Sequence, residues 1–216
     1  MGKIVISENV SLDGVSEDPA GVEGFRLGGW FFETDRGEDG EGFTLDKTLA
    51  TEALLLGRKS YEFFAATWPS RSGELAEKLN GLPKYVVSST LEDPGWNNST
   101  VVKGDVVDEV SKLKRELDGE IVVLGSSQLA QTLIEHDLVD ELRLMIYPVV
   151  LGAGARLFGE TSDKKPMRLV DTRTVGDGIA ILTYEPVRDA ARASGGASFH
   201  DKRAAALRQA GIRESA

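Results

Sequence analysis

Three short stretches of the sequence combine residue types that can hold a phosphate group. Gly57-Arg58-Lys59-Ser60, Ser88-Ser89-Thr90 and Gly125-Ser126-Ser127-Gln128 each follow an apolar, strand-like run, and the first and third lead into helical patterns. A helix N-terminus presents backbone N–H groups with no intrahelical partner, together with the positive end of the helix dipole. Arg58 and Lys59 stand at the end where that dipole disfavours cations, a conflict that a bound anion would relieve. Clustered hydroxyls at Ser88, Ser89 and Thr90 suit a ribose or a phosphate, and ligands of open α/β sheets gather at the carboxyl ends of strands. Gly125 permits close backbone approach, and Ser126 and Ser127 bring N–H and hydroxyl groups to the same turn. Each stretch also has a plainer reading. The basic pair can face water, Ser88 to Thr90 can be a polar turn, and Gly125 can serve close packing of a helix on a strand. There is no G-x-G-x-x-G fingerprint and no Walker A loop. Taken together the turns weigh more, because all follow candidate parallel strands and so fall on one sheet edge.

Other residues are candidates for the reaction itself. Asp13, before Gly14, is either a turn residue or a proton donor, and Tyr147 or an ordered water are the other donors. Trp30, Phe32 and Tyr147, with Trp68, can wall a planar substrate, although aromatics also serve as packing. His136 ends a helix, where a cation suits the dipole, and His200 lies far from it. Two separated histidines and no cysteine give no metal signature. The lack of cysteine also excludes disulfides and a thiol nucleophile.

The elements that must position these residues alternate between strand and helix. Strands are expected at Lys3–Ser7, Ala53–Leu56, Lys84–Ser88, Thr100–Lys103, the run ending at Leu124, and Glu141–Tyr147. Helices are expected at Thr44–Thr51, from Gly57 to about Ala66, from an Asp105 cap to Leu117, and after Ser127. Pro19 to Gly42 reads as a long Gly-rich loop carrying Trp30, Phe31 and Phe32, more often a lid or wall than a plain connection. Arg168–Val175 and Ile179–Glu185 flank Gly176-Asp177-Gly178, a strong hairpin signal. The pattern predicts an α/β domain with a mixed, mostly parallel sheet, helices on both faces and a C-terminal antiparallel hairpin.

The chain has 216 residues and a formal net charge of −10. That balance argues against a general nucleic-acid-binding surface, so a polyanionic ligand would need a few placed cations. No stretch approaches a membrane span, and the N-terminus lacks the apolar core of a signal peptide, so a cytoplasmic protein is expected. From Val187 onward six Lys or Arg stand against three Asp or Glu. Residues 1–186 are read as one domain and 187–216 as a basic extension, mobile or partly helical.

Four segments together resemble the dihydrofolate reductase-like superfamily: ISENVSLDG, LLLGRKSYE, YVVSST and VVLGSSQLAQTLIEHDLVDELRLMIYPVVLGAGARLF. The nearest branch contains the C-terminal reductase domain of bifunctional riboflavin-biosynthesis enzymes and stand-alone bacterial reductases, and the likeness spans about Lys3 to Glu185. It implies a three-layer α/β domain that binds NADPH across the sheet edge. By motif, Gly57, Arg58, Lys59 and Ser60 would face the cofactor phosphates, with Arg58 on the 2′-phosphate. Ser88, Ser89 and Thr90 would lie near the adenosine. Gly125, Ser126, Ser127 and Gln128 would take the pyrophosphate, and Leu12, Asp13 and Gly14 would border the nicotinamide. Folate reductases carry an acid facing the pterin, and no equivalent can be aligned in GFRLGGWFFETDRGEDGEG, where Glu33 and Asp35 read as a charged lid. The branch's bifunctional members also carry a zinc deaminase with Cys and His ligands, which this cysteine-free chain would lack.

The expectation is an NADPH-dependent reductase, a homodimer by resemblance, passing a hydride to a carbonyl or imine of a small heterocycle. Two other classes remain: a nucleotide- or flavin-binding protein without turnover, and an interaction module working through the basic extension.

Overall fold

Val, Ile and Leu fill the middle of the strand-like runs, and those runs all join one sheet. In the computed structural model the described residues are 1–188 and Gln209. Their elements are β1 (Lys3–Ser11), α1 (Gly37–Ala50), β2 (Thr51–Gly57), α2 (Arg58–Thr67), α3 (Glu74–Gly81), β3 (Lys84–Val87), β4 (Ser99–Val102), α4 (Val106–Glu116), β5 (Glu120–Leu124), α5 (Ser127–Glu135), β6 (Glu141–Tyr147), β7 (Met167–Val175) and β8 (Ile179–Pro186). The eight-stranded sheet runs β4-β3-β2-β5-β1-β6-β8-β7. Strands β4 through β6 in that order are parallel, and β8 and β7 close the far side antiparallel. The mixed sheet, the helices on both faces and the terminal hairpin match the sequence pattern. The extension proposed from Val187 lies outside the described residues except for Val187, Arg188 and Gln209.

Alternation along the central strands assigns the two faces. Ile4, Ile6, Ala53, Leu55, Ile121 and Val123 pack on Val110 and Leu113 of α4 and on Leu129 and Leu133 of α5. Val5, Leu54, Leu56, Val86 and Val122 face the other way, toward Tyr61 of α2, Leu79 of α3 and Trp96. Burial of each such side chain contributes roughly 1.5–3 kcal/mol, so these central strands are the rigid part of the molecule. A third cluster joins Phe43 of α1 to Trp30, Tyr147, Val175, Ile179 and Ile181. Asp105 caps α4 as expected, its carboxylate accepting the N–H groups of Val107 (2.9 Å) and Asp108 (3.1 Å).

The departures have local causes. β1 continues past Ser7 to Ser11, because β6 pairs with it as far as Ser11 opposite Tyr147. α1 begins at Gly37 rather than Thr44. Glycines that read as loop let this helix lie close to the hairpin: a Cβ at Gly40 would stand 3.1 Å from Val175 Cγ2. α3 has no counterpart among the expected elements, and neither does the 3-10 turn at Trp30–Phe32. Among the described residues no helix is long and apolar enough to cross a membrane.

One buried cation ties the β3 side together. Lys84 is fully buried and donates to the carbonyls of Asn80 (2.8 Å), Leu82 (2.9 Å) and Asn97 (3.0 Å), with its ammonium 4.1 Å from the centre of the Trp96 ring. Burial pushes its pKa down to about 8, while the three carbonyls and the ring favour the charged form. Lys84→Met leaves those carbonyls without their donor. It should lower unfolding stability by about 3 kcal/mol, read by urea denaturation, since unpaired buried polar groups are destabilising. A change under about 0.5 kcal/mol would show that the cage is dispensable.

Candidate active site

β5 leaves β1 at Ser7 opposite Leu124, while β1 continues beside β6. At this fork, in the crevice where ligands of parallel sheets bind, lies a cavity of about 810 Å³. Ser7, Asn9, Leu124 and Met145 contribute from the strands, α1 and α2 supply walls, and the loop before α1 adds Phe31 and Phe32.

Three turns are stitched together at its rim. The Gly57 N–H donates to Ser126 Oγ (3.0 Å), and Ser60 Oγ donates to the Gly125 carbonyl (2.5 Å). The hydroxyls of Ser16 and Ser127 are 2.8 Å apart. The loop after β1, the start of α2 and the start of α5 are thereby one unit. Of the residues expected at the cofactor, Ser60 and Gly125 reach the cavity wall, and Arg58, Lys59 and Gln128 are exposed on the sheet edge beside it. Ser88, Ser89 and Thr90 end β3, one strand beyond β2, where Ser88 Oγ accepts the N–H groups of Thr90 and Leu91 in a closed turn. Leu12, Asp13 and Gly14 stand outside the wall, and their loop enters it through Ser16.

The helix starts differ electrostatically. α1, α3 and α4 carry acids in their first turns, as the dipole favours. α2 and α5 carry none, and neither has a side-chain cap on its N–H groups. α2 instead places Arg58 and Lys59 there. Arg58 pairs with Glu62 one turn along (2.9 Å), both about half exposed, an interaction weak enough to exchange for a phosphate.

Two carboxyl groups have opposite fates. Asp13 is corrected as a proton donor. The Ser11 hydroxyl and the N–H groups of Leu151 (3.1 Å) and Gly152 (2.9 Å) hold its carboxylate down to about 2, so it carries no proton at neutral pH. Its role is to fasten the 148–158 segment, where Arg156 adds a bond to its carbonyl (3.0 Å). Glu8, which sequence reasoning missed, is 3% exposed and lines the cavity. Burial pushes its carboxyl up to about 8, against a single N–H from Ser126 at 2.9 Å. That bond uses one of the four N–H groups expected to face the pyrophosphate, leaving those of Gly125, Ser127 and Gln128.

The aromatic candidates divide too. Trp30 and Tyr147 are corrected as substrate walls: both are buried in the third cluster, packed edge to face with ring centres 5.3 Å apart. The Tyr147 hydroxyl has no partner, burial pushes it up to about 12, and it is fully buried and absent from the cavity wall, so it is not placed to donate a proton there. Phe31, Phe32, Phe63, Phe64 and Trp68 line the cavity instead. Asn9 adds a buried Oδ1 without a partner. Glu38 and Glu41 of α1 also line it, in the segment where no acid could be aligned. The available signal was the run Ser7-Glu8-Asn9, polar residues inside a central parallel strand that should be apolar throughout.

The protein family comparison matches residues 2–181 to the RibD C-terminal domain. The uncharacterized protein YyaP of Bacillus subtilis (strain 168) is 30% identical over 187 residues, 84% of this chain and 94% of that protein. A putative riboflavin biosynthesis protein from Shewanella sp. PV-4 superposes with a TM-score of 0.70 at 22% identity, over 86% of this chain and 99% of that one. Dihydrofolate reductase from Enterococcus faecalis, complexed with NADP(H), superposes with a TM-score of 0.53 at 14% identity, over 86% and 97% of the two chains. The fold is thus the dihydrofolate reductase-like one, and the chain belongs to the RibD C-terminal domain family.

Proposed function

We propose that this protein is an NADPH-dependent reductase, passing a hydride to a carbonyl or imine carbon of a small heterocyclic substrate. The observation that carries the reading is the pair of helix starts, α2 and α5, joined through Gly57 and Ser126, with no acidic residue in either first turn and no side-chain cap on either helix. Such a pair fits a diphosphate, and family membership adds the reductase chemistry. The Enterococcus relative's NADP(H) supports the choice of cofactor.

In this reading the N–H groups of Gly125, Ser127 and Gln128 hold the pyrophosphate, and Arg58 takes the 2′-phosphate with Lys59 and Ser60 beside it. Ser88, Ser89 and Thr90 lie by the adenosine, and Leu12 to Gly14 border the nicotinamide. The bound dihydronicotinamide supplies the hydride. The chain's own task is to hold a flat ring among Phe31, Phe32 and Trp68, to offer Asn9 Oδ1 to a donor on its edge, and to exclude water. An amide-like heterocycle satisfies both demands. The reading includes a homodimer, supported by the outer strand β7, which leaves Leu169 (47%) and Val170 (44%) exposed.

Thermal melting with NADPH and NADH tests the cofactor. At about 100 times its Kd a ligand adds about 2.7 kcal/mol, so NADPH should raise the melting temperature well above NADH, and Arg58→Ala should close the gap. No shift from either nucleotide would sink the reading. Ser127→Pro keeps a residue tolerated at a helix start but deletes an N–H. NADPH affinity should fall about tenfold or more, while Ser127→Ala stays near wild type. Equal affinities would take the pyrophosphate off α5. Sedimentation at micromolar concentration should show a dimer, and a monomer there would remove that element alone.

A further inference from the structure

Resting on the reductase reading, the position of Glu8 links the cofactor site to a proton. Glu8 leaves β1 just beyond the last β1–β5 pair and ends beneath the first turn of α5, where its Oε1 accepts the Ser126 N–H at 2.9 Å. The turn proposed to hold the pyrophosphate is therefore already touched from below by a carboxyl group. An ionised carboxylate there would oppose the phosphates and compete for the same helix dipole. A neutral carboxyl accepts the N–H through its carbonyl oxygen and adds no charge.

The surroundings supply nothing to neutralise a carboxylate. Across the sheet Glu8 faces Leu144 of β6, and β5 ends beside it at Leu124. The first turn of α5 has neither acid nor base. Charged groups on the flanking segments are engaged with one another: Asp13 with Ser11 and two amides, Arg156 with the Asp13 carbonyl, Glu17 with the Ala155 N–H, and Arg58 with Glu62. On the cavity side Arg143 is paired with Glu120 and Glu141, Arg36 lies over Phe31, Lys47 over Phe43 and Arg71 over Trp68, and Glu23, Glu38, Glu41 and Glu74 carry negative charge. Among the described residues no cation pairs with Glu8. Only burial and the Ser126 N–H govern its titration.

We propose that Glu8 carries a proton whenever NADPH occupies the β5–α5 turn, so that cofactor binding and protonation of this carboxyl are thermodynamically linked. Glu8 is a positioning residue, acting on the cofactor through Ser126 and through its own lack of charge. The direction follows from its raised pKa. Below about 8 the free protein already holds the proton and binding is insensitive to pH, whereas above it binding must take a proton up. The loaded site then keeps a neutral acid at the cavity wall, where a reduced substrate needs a proton.

Calorimetric titration of NADPH into wild type and Glu8→Gln, from about pH 7 to about pH 9.5, tests this in two buffers of different protonation enthalpy. The phosphate monoester, with its second pKa at about 6, keeps constant charge over that range. In wild type Kd should rise toward tenfold per pH unit above about 8, with uptake approaching one proton per NADPH; in Glu8→Gln both effects should vanish. Lys84, which titrates in the same window, is present in both proteins and cannot produce the difference. If Glu8→Gln fails to fold, the wild-type carboxyl is followed by carbon NMR, and its titration midpoint should move up on adding NADPH. Binding that stays flat with pH in wild type, a Glu8→Gln slope equal to wild type, or an unmoved NMR midpoint overturns the proposal while leaving the cofactor reading intact. No NADPH binding even near pH 7 overturns the reductase reading, and this proposal with it.

Discussion

β1 and β5 stay hydrogen-bonded only as far as Ser7 and Leu124, while β1 keeps β6 as its partner to Ser11. That unequal length is the constraint on which the site depends. From Glu8 onward β1 has a strand on one side and a gap on the other. The gap admits the α5 start above Glu8, opens the cavity beside Asn9, and lets the loop after β1 reach Ser127 through Ser16. Had β5 continued, ladder hydrogen bonds would fill this space and no side chain of β1 could enter it. The apolar strand centres hold the fork rigid, so groups on separate elements meet with little entropy left to lose.

Electrostatics then distinguishes residues of one type by their surroundings. Asp13, Asp18 and Glu8 all accept backbone N–H groups, yet number and burial decide the outcome. Burial pushes Asp18 up, but the N–H groups of Glu23, Val22 and Phe25 outweigh it and hold the carboxyl below its ordinary value. Asp13 has a hydroxyl and two amides and is ionised. Glu8 has one amide and complete burial, and it keeps its proton. The first two are therefore fasteners for loops, and only the third can exchange a proton near neutral pH. A carboxylate is a sound loop fastener where several donors converge and a poor one where only one does.

The sheet was legible because its signals are local. Val- and Ile-rich runs separated by Gly, Ser and Asp turns specify the strands, and the hairpin at Gly176-Asp177-Gly178 and the cap at Asp105 each declare themselves within a few residues. The strand-end turns were legible for the same reason. What could not be read depends on partners distant in sequence. Gly37 and Gly40 signal a loop until Gly176 and Val175, brought over at the end of β7, show why a helix there needs no side chain at either position. Trp30 and Tyr147 lie 117 positions apart, and only the third cluster shows that they occupy each other rather than a ligand. Asp13 before Gly14 looks like any turn until the amides of Leu151 and Gly152 arrive. Glu8 was readable in principle, because a charged residue in a central parallel strand is an anomaly of composition that needs no structure to notice.

The buried aromatics also set the shape of the cavity wall. Trp30 is fixed by its edge contact with Tyr147 and by a bond from Nε1 to the Glu17 carbonyl (3.1 Å). Phe31 rests on Tyr147 at 5.5 Å, Arg36 covers Phe31 at 4.7 Å, and Phe32 stands nearly perpendicular to Phe31. Upstream, the lid folds round Asp18, whose carboxylate accepts the Val22 and Phe25 N–H groups, and a Cβ at Gly28 would stand 2.6 Å from it. Residues that touch no ligand thus determine where Phe31 and Phe32 stand, and those two face the cavity. The exposed ring of Phe32 can change without disturbing the anchor beneath it. A Trp30 substitution would release the whole segment. The shape of the cavity wall and the stability of the loop are therefore written in neighbouring residues yet remain separable, and one anchored loop can carry differently shaped rings at the cavity.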